Sequence, residues 1–214
     1  MKAAIGKIIS ATFDLALAAV FFITWTNPGS SLARPVEFMV LLMLIEFITV
    51  HSSAMLGSTW AGEESRSVRL RTVGVMTGLY ALLVGAFSAG FGTWVPFIGF
   101  WVLSANRLLS MLIDGKPGPE AKKEAERSWA RSVALYLFGA FGTTFLPVPR
   151  LGLTLDAMTD IDVAGSGVWV EEPWRVLAFG TAYFGIGGLL LLKDAVRQIG
   201  APTTTEAAAT DAAA

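Results

Sequence analysis

Apolar runs of roughly 20 residues, separated by short clusters of charge, recur six times along this chain. A run of about 20 apolar residues, at 1.5 Å rise per residue, matches the ~30 Å hydrocarbon core of a bilayer. The runs read as spans at Ile8–Trp25, Val36–Leu56, Thr72–Phe91, Trp94–Ile113, Ser132–Val148 and Trp174–Leu192. Charged residues make up 15% of the 214, where a soluble domain carries about 25%. The expected fold is therefore all-α, a polytopic helical membrane protein with six transmembrane helices. Residues 1–198 form one membrane domain, and the low-complexity stretch 199–214 is expected to be a disordered tail.

Lys2 and Lys7 precede the first run, as in a signal peptide. That run is long for a signal-peptide core, it holds Asp14, and no clear small-x-small cleavage site precedes Asn27. A retained helix is expected. Lysines and arginines then set the orientation. With six spans, Lys2, Lys7, Arg66, Arg69, Arg71, Lys116, Lys122, Lys123, Arg127, Arg131, Lys193 and Arg197 fall on one side, and only Arg34, Arg150 and Arg175 on the other. Twelve against three places both termini in the cytoplasm, and a bacterial inner membrane is the expected location. Trp25, Trp94, Trp169 and Trp174 fall at or beside the outer ends of spans and Trp60 and Trp129 near the inner ends, as an interfacial belt requires.

Outside the spans, Pro119–Arg131 reads as a short charged helix leading into the fifth span. The segment Pro149–Pro173 is acidic and alternates partly with period two, which suggests a small hairpin or a cap on the outer surface. Glycine spacing points to tight packing among the third, fifth and sixth spans, through Gly74 and Gly78 and Gly85 and Ala89, Gly139 and Gly142, and Gly180, Gly185, Gly187 and Gly188. A dimer face on the third or sixth span is the alternative use of the same glycines.

The inner half of the spans carries a polar set. Asp14, His51 and Arg107 each lie roughly 8–9 Å from the cytoplasmic end of their span at 1.5 Å per residue, Asn106 is adjacent to Arg107, and Glu46 is near the midplane. A charge at the bilayer centre costs about 2.5–3.5 kcal/mol on insertion scales, less if such groups face one another or a wet cavity. The expectation is an inward-opening polar cavity where the first, second and fourth spans meet, with Asp14 and Arg107 as its simplest ion pair. Glu46, Thr49 and Ser53 share one stripe of the second span, at offsets of three and seven residues. His51 points about 140° away from Glu46 at 100° per residue. Glu46, His51, Asp14, Arg107, Asn106 and Ser53 are thus the candidate substrate- or proton-binding residues. The plainer alternative is a structural polar core, with Arg107 reaching the headgroups and the serines bonded to carbonyls one turn back.

Small-solute or proton-linked transport through that cavity is the leading functional expectation. A non-catalytic accessory or assembly subunit of a larger membrane complex is the alternative. An enzyme has less behind it: neighbours such as His51 and Ser52 point about 100° apart on a helix, and neither GxSxG nor HExxH occurs. The absence of cysteine removes disulfides, thiol catalysis and iron–sulfur clusters, and a single histidine removes bis-histidine haem. A chlorin-type pigment on His51 stays open. No cofactor or metal is expected. The expected partners are the lipid bilayer and either a second copy of the chain or other membrane subunits; a net charge of −1 gives nothing to favour nucleic acid.

Overall fold

The computed structural model describes residues 2–29, 35–60, 65–94, 96–98, 100–101, 118–159, 161 and 166–200. All regular structure among them is helical, and no strand is present. Among the described residues there are five long helices, α1 (Lys2–Thr26), α2 (Pro35–Trp60), α3 (Arg66–Gly90), α4 (Pro119–Phe145) and α7 (Pro173–Gly200), with two single-turn helices, α5 (Leu155–Met158) and α6 (Val168–Glu171), between α4 and α7. Three of these are long and apolar enough to cross a membrane, over Ala4–Thr26, Arg66–Gly90 and Pro173–Gly200. Their outward faces carry large apolar side chains in the open, Phe13 and Leu82 being 68% and 73% exposed. Apolar surface on that scale needs a covering other than water.

Local signals account for the boundaries. Pro119 opens α4 in the first turn, where its missing N–H costs nothing. The charged segment and the fifth apolar run then continue as one helix, which ends before Pro147 and Pro149. α3 ends in a left-handed glycine, Gly92 at φ 65°, whose N–H donates to the Ala89 carbonyl while that of Thr93 donates to the Ser88 carbonyl.

α1 lies along α7 more extensively than any other pair of helices. Glycine makes the approach possible: a Cβ on Gly180 would sit 2.2 Å from the Phe21 ring, and one on Gly188 would sit 2.9 Å from Leu15 Cγ and 3.1 Å from the Ala11 carbonyl oxygen. α4 meets α7 in the same way, with a Cβ on Gly139 falling 2.5 Å from the Phe179 ring. Phe21, Met39, Met43, Leu177 and Phe179 fill the centre of this core. α3 packs on α2 through a smaller cluster of Ile48, Ala81, Val84 and Phe100. Close packing is thus found at Gly139, Gly180 and Gly188, whereas Gly142 has no neighbour within 4 Å of an added Cβ and Gly85 of the third run meets only the Phe97 ring, at 3.6 Å. Around Gly74 and Gly78 nothing lies within 4 Å of an added Cβ, and the close partner of α7 is α1.

The period-two reading of 149–173 gives way where this segment is described. Thr154 accepts a hydrogen bond from the Ala157 N–H, 3.3 Å, and starts the α5 turn. Leu153 is fully buried, and Met158, Ile161, Trp169 and Val170 pack against the main core, so the segment lies over the end of the bundle as a cap. Three contacts fasten that end. The Trp25 indole N–H donates to the Pro149 carbonyl at 3.0 Å, the Gly152 N–H to the Trp25 carbonyl at 3.1 Å, and the Arg150 guanidinium stands 4.4 Å over the Trp174 ring. Arg175, from the first turn of α7, pairs with Glu172 and donates to the carbonyls of Thr143, Thr144 and Leu146 at 2.7, 3.0 and 3.0 Å. It thereby satisfies the carbonyls that the end of α4 leaves without helical partners.

Candidate functional site

Four helices line a polar cavity of about 120 Å³, partly open to the surface, at the opposite end from the cap. α1 contributes Asp14, α2 Glu46, α4 Ser128, Arg131 and Ser132, and α7 Tyr183 and Gly187, with apolar walls from Leu135, Phe184 and Leu191. A space of that size, lined by this many hydrogen-bonding groups, holds several waters.

Each polar group is placed by the packing just described. The α1–α7 contact turns Asp14 toward α7, where a Cβ on Gly187 would stand in ordinary contact with Asp14 Oδ2, at 3.6 Å. Among the described residues no lysine, arginine or histidine stands within ion-pair distance of Asp14. Glu46 faces α7, where the buried Tyr183 hydroxyl donates to its Oε1 at 2.8 Å. One turn earlier on α2, the Met43 carbonyl accepts the Tyr136 hydroxyl at 2.9 Å. The Tyr136 and Tyr183 rings meet edge to face, 5.6 Å between centroids, so the two phenols brace each other against α2. Arg131 closes the charged end, its Nη1 donating to Asp194 Oδ2 at 2.8 Å. A second bridge beside it joins Lys7 Nζ of α1 to Glu124 Oε1 of α4 at 2.6 Å.

Of the residues singled out in the sequence, Asp14 and Glu46 come together on this cavity. His51 does not join them. It is exposed, with its ring 4.6 Å from that of Phe47, as the 140° offset from Glu46 implies. Ser52 is buried and donates to the Thr49 carbonyl at 3.1 Å, the local back-bond of a structural serine. Arg107, Asn106 and the side chain of Ser53 lie outside the described residues, and so does the expected Asp14–Arg107 pair. With α1 and α2 the described walls are α4 and α7, and the basic group on them is Arg131; most of the expected fourth span lies outside the described residues.

Tyr183, Arg131 and Ser132 were not read as site residues from the sequence. A signal existed for Tyr183, because a phenol deep in an apolar run needs an acceptor and Glu46 is one of the few carboxylates at similar depth. Arg131 precedes the apolar run that begins at Ser132, yet one helix, Pro119–Phe145, carries both. Among the described residues no group of three or more His, Asp or Glu side chains is arranged to hold a metal ion. No protein-family model, curated protein or solved structure matches the chain.

Proposed function

We propose that the protein is a six-span integral membrane protein that binds a small solute, or passes protons, through the cavity between α1, α2, α4 and α7. The observation that carries this reading is that Asp14 and Glu46, 32 residues apart in sequence, line one polar cavity together. Carboxylates within membrane helices are costly, and they serve as relay groups in pumps and carriers. Glu46 has a phenolic donor that fixes its orientation, and Asp14 has free space in front of it. The apolar walls keep the surroundings at low dielectric, which strengthens each electrostatic interaction inside.

In this topology the cavity end, with Lys7, Lys122, Lys123, Arg127, Arg131 and Arg197, faces the cytoplasm, and the cap with Trp25 and Trp174 faces outward. The pairing at the cap supports that assignment, because Arg150 and Arg175 are both engaged within the protein and do not act as free loop charges. The chain has no cysteine of its own, so single introduced cysteines report cleanly. In intact cells an impermeant thiol reagent is expected to label Ser166→Cys and to spare Ser67→Cys; labelling at Ser67 would overturn the topology.

The functional test uses purified protein in vesicles with a pH-sensitive dye inside and a potassium diffusion potential as the driving force. Proton uptake is expected to fall by roughly a hundredfold in Glu46→Gln, the scale of a lost proton-transfer group, with insertion intact. Asp14→Asn is expected to act in the same direction. His51→Gln, outside the cavity, is expected to leave the rate within about twofold, the scatter of a neutral surface change. A well-inserted Glu46→Gln protein with unchanged uptake would remove the central residue of this reading.

A further inference from the structure

The two ends of α4 are held by different physics. Its C-terminal half is built into the core: the Tyr136 hydroxyl bonds the Met43 carbonyl, Gly139 lies against the Phe179 ring, and Arg175 binds the carbonyls of the last turn. Its N-terminal half is not. Glu120 and residues 122–130 are all exposed. What ties this half to the rest of the described structure is a pair of ionic contacts, Lys7–Glu124 to α1 and Arg131–Asp194 to α7. Between the two halves lies the cavity, for which α4 supplies Ser128, Arg131 and Ser132 as one wall.

We propose that the N-terminal half of α4 is the gate of the cavity, pivoting about the Tyr136–Gly139 contact and latched shut by the two ion pairs. The inference rests on the cavity being the binding site. A wall held by apolar packing would cost its buried area to displace, whereas a wall held by two partly exposed ion pairs costs little, because water replaces each partner. Arg131 serves both roles: it lines the cavity and forms one of the latches. A solute that draws the guanidinium away from Asp194 therefore weakens the closure, and release of the solute restores it.

Access is read directly with a cysteine reporter, Ser132→Cys, and a quaternary-ammonium methanethiosulfonate reagent, applied to protein in lipid vesicles with Ser67→Cys as the reference for intrinsic reactivity. In the otherwise unaltered chain the reporter is expected to react slowly. Asp194→Asn or Glu124→Gln alone should speed labelling about threefold, and the two together roughly tenfold, in keeping with the modest strength of partly exposed pairs. Reversing one pair, Lys7→Glu with Glu124→Lys, should return the slow rate, because the contact re-forms with its charges exchanged. Equal labelling rates in the unaltered chain and the double neutral variant would overturn the gate. So would a reversed pair that labels as fast as the neutral variants. Unchanged labelling beside proton uptake that still depends on Glu46 would overturn the gate alone. Accelerated labelling beside uptake indifferent to Glu46 would overturn the functional reading and leave the gate standing.

Discussion

Gly180→Leu is expected to prevent the bundle from assembling. The smallest added side-chain atom at this position already falls 2.2 Å from the Phe21 ring, far inside van der Waals contact. Phe21 cannot yield, because it is fully buried in the main core beside Phe184, 5.6 Å between ring centroids. The helices must therefore separate, and α1 and α7 form the most extensive contact among the described helices. Overpacking a dense core costs about 1–3 kcal/mol and occasionally more. Leucine at a helix crossing belongs at or beyond the top of that range. Gly74→Leu is the matched control, since nothing lies within 4 Å of its Cβ, and its effect should stay within about 0.5 kcal/mol. Thermal unfolding in mild detergent compares the two. A Gly180→Leu protein as stable as the Gly74→Leu protein would show that α1 and α7 do not meet at this glycine.

The second large effect is expected at Arg175. Its guanidinium reaches three backbone carbonyls and Glu172 from a side chain only 19% exposed. Arg175→Ala leaves those carbonyls at the end of α4 without donors and Glu172 without its cation. Hydrogen bonds to a charged group contribute about 1.5–3 kcal/mol each, with partial recovery from water at the exposed edge. A loss of about 2–4 kcal/mol follows. Arg175→Lys should recover less than half of it, because an ammonium is a single point donor and cannot serve at once Glu172, which Nε reaches, and the carbonyls, which Nη1 reaches. Equal stability of the lysine and arginine forms would show that charge alone, and not the fork, holds the helix end.

How far the sequence revealed this arrangement depends on the kind of signal. The long helices were visible because apolar run length is a property of single segments. Asp14 and Glu46 stood out because charge in such a run is expensive and needs a reason. Two relations between segments were not visible. Gly74 and Gly78 carry the same spacing as a packing motif, yet they face open space, whereas Gly180 and Gly188 pack against Phe21 and Leu15. A glycine pattern shows that close approach is permitted, not which helix takes it up. In the same way Arg131 read as loop charge, because the apolar run begins at Ser132 and the helix that carries both begins at Pro119. The alternation in 149–173 misled for a local reason: a capping threonine at 154 offers its hydroxyl to a helical turn, and a period-two pattern of a few residues does not outweigh it.

Many of the fixed points in this molecule are side-chain donors that end on the main chain: Trp25 on Pro149, Tyr136 on Met43, and Arg175 on the last turn of α4. A main-chain acceptor is the same whatever residue supplies it. As far as these bonds are concerned, mutation is free to replace the side chains of Met43, Thr143, Thr144 and Leu146 over generations, while the three donors are held in place. Related chains would then keep an indole, a phenol and a guanidinium at these positions while the acceptor positions drift, and a comparison by overall identity would pass over the likeness that the donors preserve.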